Sequence, residues 1–97
     1  MATREMGRCL RCGGSGQHWH HRRGRAVRDQ HTHCACNGVL LCRTCHEWAH
    51  ANPFEARRTG FIVSRSEPEP RTVQVEAFYG ALFLTCEGMV EFAEQGA

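Results

Sequence analysis

Two Cys-x-x-Cys pairs constrain the fold of this 97-residue chain more than any other feature: Cys9/Cys12 and Cys42/Cys45. Of Leu, Ile, Val and Phe, only Leu10 and Val27 occur before Val39, so hydrophobic burial alone cannot fold the first third. A chain this short also buries a small fraction of its surface and often needs a cross-link. Four thiolates in two CxxC turns are typical of a closed tetrahedral zinc site. We therefore predict one structural Zn²⁺ held by these four cysteines.

A disulfide framework is the alternative use of seven cysteines. An odd number of cysteines fits such a framework poorly, and residues 1–20 contain no apolar segment of the kind found in a secretory signal. No stretch is long and apolar enough to predict a membrane span. We expect an intracellular protein with reduced thiols and no membrane association.

Three cysteines lie outside the two pairs: Cys34, Cys36 and Cys86. Cys34 and Cys36 are separated by a single residue, which makes a poorer chelating turn than CxxC, so we do not include them in the predicted site. A different alternative is covalent haem attachment, because residues 42–46 match the pattern CxxCH. It would leave the first CxxC pair unexplained, and it normally requires an exported chain.

Histidines form a second group of candidate metal ligands. On a helix, His46 and His50 lie about 40° apart on one stripe, whereas Cys45 points about 100° away from His46. One helix can therefore present a cysteine to the zinc and two imidazoles to another ion. His20 and His21 project to opposite sides if they lie on a strand. One can complete a three-ligand metal site with open positions, and the other can serve as a general base. The strand geometry alone does not say which is which.

The order of these residues resembles that of the HNH endonucleases, which have the ββα-metal fold. The resemblance covers roughly residues 9–53 and rests on the cysteine pairs together with five polar positions: His20, His21, Asn37, His46 and His50. The CxxC pairs resemble those of the zinc-cross-linked branch found in phages and bacteria. Many members carry Asn in place of one of the last two histidines, whereas this chain has His at both.

The resemblance implies a role for each of these positions. His20, His46 and His50 would hold a catalytic divalent ion, which could be Mg²⁺, Mn²⁺, Ni²⁺ or Zn²⁺. His21 would be the base that activates water, and Asn37 would orient the His21 ring. A partner from the phage terminase or packaging machinery is a further implication.

Charge is unevenly distributed along the chain. Through Arg65 there are eleven Arg and four acidic residues, for a net charge of +7, whereas the remainder has a net charge of −5. A basic segment that coincides with candidate metal ligands is typical of a site that meets nucleic acid. We predict contacts with DNA phosphates from four arginines that follow the proposed base: Arg22, Arg23, Arg25 and Arg28.

Periodicity and breakers suggest an α+β fold. We predict a flexible segment at residues 1–8, a zinc-cross-linked HNH core with a ββα-metal fold at 9–60, and an acidic C-terminal β hairpin or meander at 61–97. The predicted elements are strands at Gln17–Arg22, Val39–Leu41 and Phe61–Val63, helices at Arg43–Ala51 and 53–59, and meander strands at Thr72–Glu76, Gly80–Thr85 and Met89–Phe92. Gly60 is expected to terminate the second helix.

These features together predict a metal-dependent DNA endonuclease that hydrolyses phosphodiester bonds and acts as a monomer. The alternative is a noncatalytic, zinc-stabilised adaptor that binds nucleic acid.

Overall fold

A computed structural model describes residues 6–24 and 28–93. These residues form a small mixed α+β domain with two antiparallel sheets and two helices. The elements in chain order are β1 (His18–His21), β2 (Gly38–Leu41), α1 (Arg43–Ala51), α2 (Pro53–Arg58), β3 (Val75–Ala77), β4 (Gly80–Leu84) and β5 (Val90–Phe92). Two short 3₁₀ turns occur at Ala35–Asn37 and Pro70–Thr72. No helix in these ranges has the length and apolar character needed to cross a membrane.

Strands β1 and β2 pair in an antiparallel register that sets His20 opposite Val39 and His21 opposite Gly38. The pairing places the Trp19 indole against the Gly38 backbone. A Cβ atom on Gly38 would lie 2.0 Å from the nearest indole carbon, so only glycine allows this contact. All four residues of β2 are buried. The apolar run after Asn37 therefore forms a buried strand, and the strand is what the sequence predicts.

Helix α1 occupies the range that the sequence predicts. Cys42 is its N-cap, and the Cys42 sulfur accepts a hydrogen bond from the backbone N–H of Cys45 at 3.3 Å. The helix ends at Ala51, because Pro53 disfavours helical geometry at Asn52 and begins α2. The cysteine that starts the helix is thus also a candidate zinc ligand.

The segment predicted as a third strand, Phe61–Val63, is not a strand. Gly60 follows α2 in the left-handed conformation with φ +89°, and the N–H groups of Phe61 and Ile62 both donate to the Ala56 carbonyl. Both bonds satisfy the Ala56 carbonyl near the end of the helix and turn the chain toward the hydrophobic core. Phe61 is consequently buried, so its apolar character reflects burial in the core beside a helix end.

One hydrophobic core joins the segments predicted as nuclease core and C-terminal extension. Its buried members include Leu10 and Val39 from the first part, and Val75 and Leu82 from the meander. Backbone hydrogen bonds reinforce the contact, since the N–H of Phe78 donates to the carbonyl of Leu10 at 2.9 Å. Of the predicted hairpin or meander, the structure has the meander, with three strands in the order β3-β4-β5. At the N-terminus, residues 1–5 lie outside the described ranges, whereas Arg8 forms an isolated bridge with Ser15.

Arg22 is buried, and its side chain connects the end of β1 to three other segments of the chain. The predicted role of Arg22 in DNA binding is therefore wrong. Its guanidinium donates to the carbonyls of Gly60 at 2.8 Å, Cys36 at 2.8 Å, Pro70 at 3.2 Å and Val73 at 2.7 Å. Its exposed fraction is 1%. A guanidinium engaged by backbone carbonyls on several sides is not available to a phosphate, so Arg22 is a structural residue.

Arg23 requires the same correction. It is also 1% exposed, and its guanidinium pairs with the carboxylate of Asp29 and donates to the carbonyl of Glu67 at 2.6 Å. These contacts hold the loop after β1 against the start of the C-terminal segment. Neither of the two arginines next to His21 therefore faces solvent.

Gly60 gives a test of how closely the meander packs against α2. A Cβ atom there would lie 1.9 Å from the Gln74 carbonyl oxygen, whereas Gly88, with a similar φ of +85°, has open space. Gly88→Ala should lower the free energy of unfolding by about 1 kcal/mol through backbone strain alone. Gly60→Ala should add about 1–3 kcal/mol of overpacking to that strain. Denaturant unfolding of both variants at equal zinc content measures the difference, and equal losses would contradict the close approach.

Candidate metal centres

The four cysteines of the CxxC pairs lie together: Cys9, Cys12, Cys42 and Cys45. Their sulfur atoms are within 4.8 Å of one another, and the sulfurs of Cys12 and Cys42 are 3.8 Å apart. A tetrahedral zinc with Zn–S bonds of about 2.3 Å sets its sulfurs about 3.8 Å apart. The group can therefore hold a metal ion, consistent with a structural zinc.

Each CxxC pair lies in a turn that directs amides at sulfur. In the first turn, Gly13 adopts φ +82° and the N–H of Gly14 lies 3.4 Å from the sulfur of Cys12. In the second, the first turn of α1 directs the N–H of Cys45 at Cys42, as described above. Such donors stabilise a thiolate. The group thus joins the N-terminal turn to the start of α1.

The thiols of this group differ in their tendency to ionise. Burial raises the pKa of Cys45 to about 12. Burial also acts to raise the pKa of Cys9, but backbone N–H donors, foremost that of Cys42, outweigh it and lower the pKa to about 7. One thiolate therefore forms readily, and further ionisation beside it needs a compensating cation. A divalent metal supplies that charge.

A second group consists of the imidazoles of His20, His46 and His50. Strand β1 contributes the first, and one stripe of helix α1 contributes the other two. The Nε2 atoms of His46 and His50 are 3.3 Å apart, close to the separation of about 3.3 Å that two nitrogens have on a tetrahedral ion. The same helix directs Cys45 to the other group, so α1 serves both without competition between them.

A backbone carbonyl sets the tautomer of His20. Its Nε2 lies 2.7 Å from the carbonyl oxygen of Phe61, and because a carbonyl only accepts, Nε2 carries the proton. Nδ1 is then the nitrogen left to bind a metal, an arrangement common among metal-bound histidines. Burial lowers the pKa of His20 to about 4 and also lowers that of His46. His20 is therefore neutral near pH 7, as a ligand must be. Nothing in the sequence indicates this contact with the carbonyl of Phe61.

The histidine group lies beside an open cleft of about 390 Å³. The cleft is lined by Trp19, His20, His21, Gly24, His46 and His50. A metal on three imidazoles keeps positions free for water or substrate, unlike a four-cysteine site. His21, the proposed base, thus lines the same cleft as the candidate ligands.

The side chain of Asn37, predicted to orient the ring of His21, binds the loop that follows this residue. Its oxygen accepts from the N–H of Arg23 at 2.8 Å, and its nitrogen donates to the carbonyls of Arg23 and Thr32. The ring of His21 has a contact of its own, since the Nδ1 of His33 lies 3.4 Å from its Nε2. Asn37 fixes the backbone beside the base, and His33 contacts the ring.

Two predicted DNA contacts, Arg25 and Arg28, and one histidine outside the candidate groups, His18, complete the description of this region. Arg28 is exposed, and Arg25 lies outside the described residues. His18 is exposed at the start of β1, and its ring centroid is 5.1 Å from that of His46.

Trp48 is partly buried and packs against the hydrophobic core. Its ring lies edge-on to Phe61, and the guanidinium of Arg11 lies over its face.

Sequence reasoning missed a third group of potential ligands: His31, Cys34, Cys36 and Cys86. Their ligand atoms also lie within 4.8 Å of one another, so this group can hold a metal ion as well. The prediction of one structural zinc excluded Cys34 and Cys36 for their single-residue spacing. The available signal was the number of cysteines, since seven cysteines and one histidine make two sets of four ligands.

The tautomer of His20 and the exposure of His18 predict different effects on metal binding. His20→Ala should weaken Ni²⁺ or Co²⁺ binding at the histidine group by more than about 100-fold, because it removes a ligand whose second nitrogen is already anchored. His18→Ala should change the affinity by less than about threefold, since His18 is not a member of the group. Isothermal titration of zinc-loaded protein measures both. Equal losses in the two variants would contradict the assignment.

Comparison of the chain with protein-family models, with curated proteins and with solved structures finds no match.

Proposed function

We propose that this chain is a metal-dependent DNA endonuclease of the HNH type, with β1, β2 and α1 as its ββα-metal core. The observation that carries the proposal is the convergence of His20, His46 and His50 beside an open cleft that His21 also lines. A structural role would not require an open cleft, whereas hydrolysis requires room for water and a phosphodiester.

The contrast between two of the groups supports a catalytic role for the histidines. The four-cysteine group offers a full tetrahedral set, which is typical of a structural site. The histidine group offers three imidazole ligands, which leave coordination positions for substrate oxygen and water. Its imidazole ligands favour Zn²⁺ and Ni²⁺ over Mg²⁺ in affinity.

The histidines of the cleft then have roles in hydrolysis. His21 takes a proton from the attacking water, and His33, which contacts its ring, restrains it. The Phe61 carbonyl keeps His20 in the tautomer that presents Nδ1. The bound ion would stabilise charge on the phosphorane and on the leaving 3′ oxygen. Positioning of the scissile phosphate between ion and base would supply the in-line geometry.

The proposed substrate is DNA, supported by the basic charge of the segment that contains the cleft residues. The net charge of +7 through Arg65 favours a polyanion. Arg22 and Arg23 are not contacts, so the phosphate-binding surface would involve Arg28, which is exposed on the loop after β1. A basic surface attracts the nucleic-acid backbone in a salt-dependent way.

A plasmid nicking assay with Mg²⁺, Mn²⁺, Ni²⁺ or Zn²⁺ tests the proposal. His21→Ala should reduce nicking by about 100-fold or more, because a general base typically contributes 10²–10⁴-fold. Zinc content and DNA affinity should be unchanged. The matched control is His18→Ala, which removes another histidine of β1 and should retain nicking within about threefold.

Two outcomes would count against this function. Nicking by His21→Ala at the wild-type rate would remove His21 from the role of base. Salt-dependent DNA binding by the wild type without nicks under any metal condition would favour the noncatalytic adaptor.

A further inference from the structure

We propose that His31, Cys34, Cys36 and Cys86 form a second structural zinc site, which ties the β4–β5 turn to the loop that precedes β2. The inference is independent of the nuclease proposal, because it concerns metal content and folding. It rests on the geometry of the four side chains and on the separation of Cys86 from the others along the chain.

The three ligands of the loop are brought together by local hydrogen bonds. The N–H of Cys34 donates to the carbonyl of His31 at 3.1 Å, and the N–H of Asn37 donates to the carbonyl of Cys34 at 2.9 Å. These consecutive turns place the Cys34 and Cys36 side chains near one imidazole. The Nδ1 of His31 lies 3.9 Å from the sulfur of Cys36.

The fourth ligand comes from the far end of the chain. Cys86 follows β4 in a tight turn, in which the N–H of Thr85 donates to the carbonyl of Met89 and the N–H of Gly88 donates to that of Thr85. The turn places the sulfur of Cys86 4.0 Å from the Nδ1 of His31, across 55 positions of sequence. Zn–S bonds of about 2.3 Å and Zn–N bonds of about 2.0–2.1 Å would put a sulfur and a nitrogen about 3.6 Å apart. The two measured separations between sulfur and Nδ1, 3.9 Å and 4.0 Å, are thus within a few tenths of an ångström of this value.

The composition of the group favours zinc over a disulfide. Three cysteines and one histidine are one of the ligand sets of closed structural zinc sites. A disulfide between any two of the cysteines would leave the third thiol and the imidazole beside it without a function. With this group, every cysteine of the chain belongs to one of two four-ligand sets.

A metal here would support the region beside the cleft. The carbonyl of Cys36 accepts from the Arg22 guanidinium at 2.8 Å, and Asn37, the next residue, holds the backbone of Arg23. Zinc at the second site therefore restrains the turn that positions both. The acidic C-terminal meander would then have a structural role, because it supplies Cys86 as the fourth ligand of the site.

Metal analysis of the full chain tests the inference. The background is His46→Ala, which weakens the histidine group so that only cysteine-containing sites retain zinc after exposure to a mild chelator. This protein should carry two zinc ions per chain, and the additional change Cys86→Ala should reduce the content to one. A matched pair of loop variants serves as control, since His31→Ala should weaken retention of one zinc, whereas His33→Ala should retain both.

X-ray absorption at the zinc edge of the same background protein provides a test that needs no variant of the second site. Two sites predict seven sulfurs and one nitrogen in total over the two ions, which the spectrum reports as their average per zinc. One zinc per chain with four sulfur ligands would overturn the inference, as would an intact mass lower by two hydrogen atoms, which indicates a disulfide. If Cys86→Ala does not fold, the absorption spectrum of the background protein still distinguishes two zinc sites from one.

Discussion

Cysteine and histidine side chains from distant segments converge in groups that can hold metal ions, and the remaining elements are arranged around these groups. The first third of the chain has little apolar material, so its turns are defined by the side chains that approach one another at Cys9 and Cys42 and at His20 and His46. Thiols in contact resist ionisation unless a positive charge lies among them. Metal binding would therefore contribute directly to the free energy of folding, as in other small domains that bind zinc.

A buried arginine complements the metal groups. Arg22 immediately follows the proposed base, and its guanidinium collects carbonyls from the end of α2, the turn before β2 and the segment that leads to the meander. Burial of a guanidinium is costly unless its donors are satisfied. The carbonyls accept hydrogen bonds from these donors, and the same bonds hold the three segments against the end of β1. The residue that composition suggested as a DNA contact is thus part of the support for the cleft.

The sequence predicted what short-range patterns determine. Helix α1 was predictable because Pro53 ends it, and strand β2 because a short apolar run follows Asn37. Contacts between distant segments were not predictable. The burial of Arg22 depends on carbonyls about 40–50 positions away, and the participation of Cys86 depends on the register of the meander. Local pattern identifies a ligand type, but only the tertiary fold shows which ligands converge.

Anomalous diffraction from crystals grown with zinc, and then soaked in Mn²⁺ or Ni²⁺, would locate the ion in each of the three groups. We expect peaks within both cysteine-containing groups at the zinc edge. We also expect a peak at the edge of the soaked metal that lies about 2.0–2.2 Å from Nδ1 of His20 and from His46 and His50, open toward the cleft that His21 lines. A histidine group without a peak at saturating metal, or a peak bound through Nε2 of His20, would contradict the account.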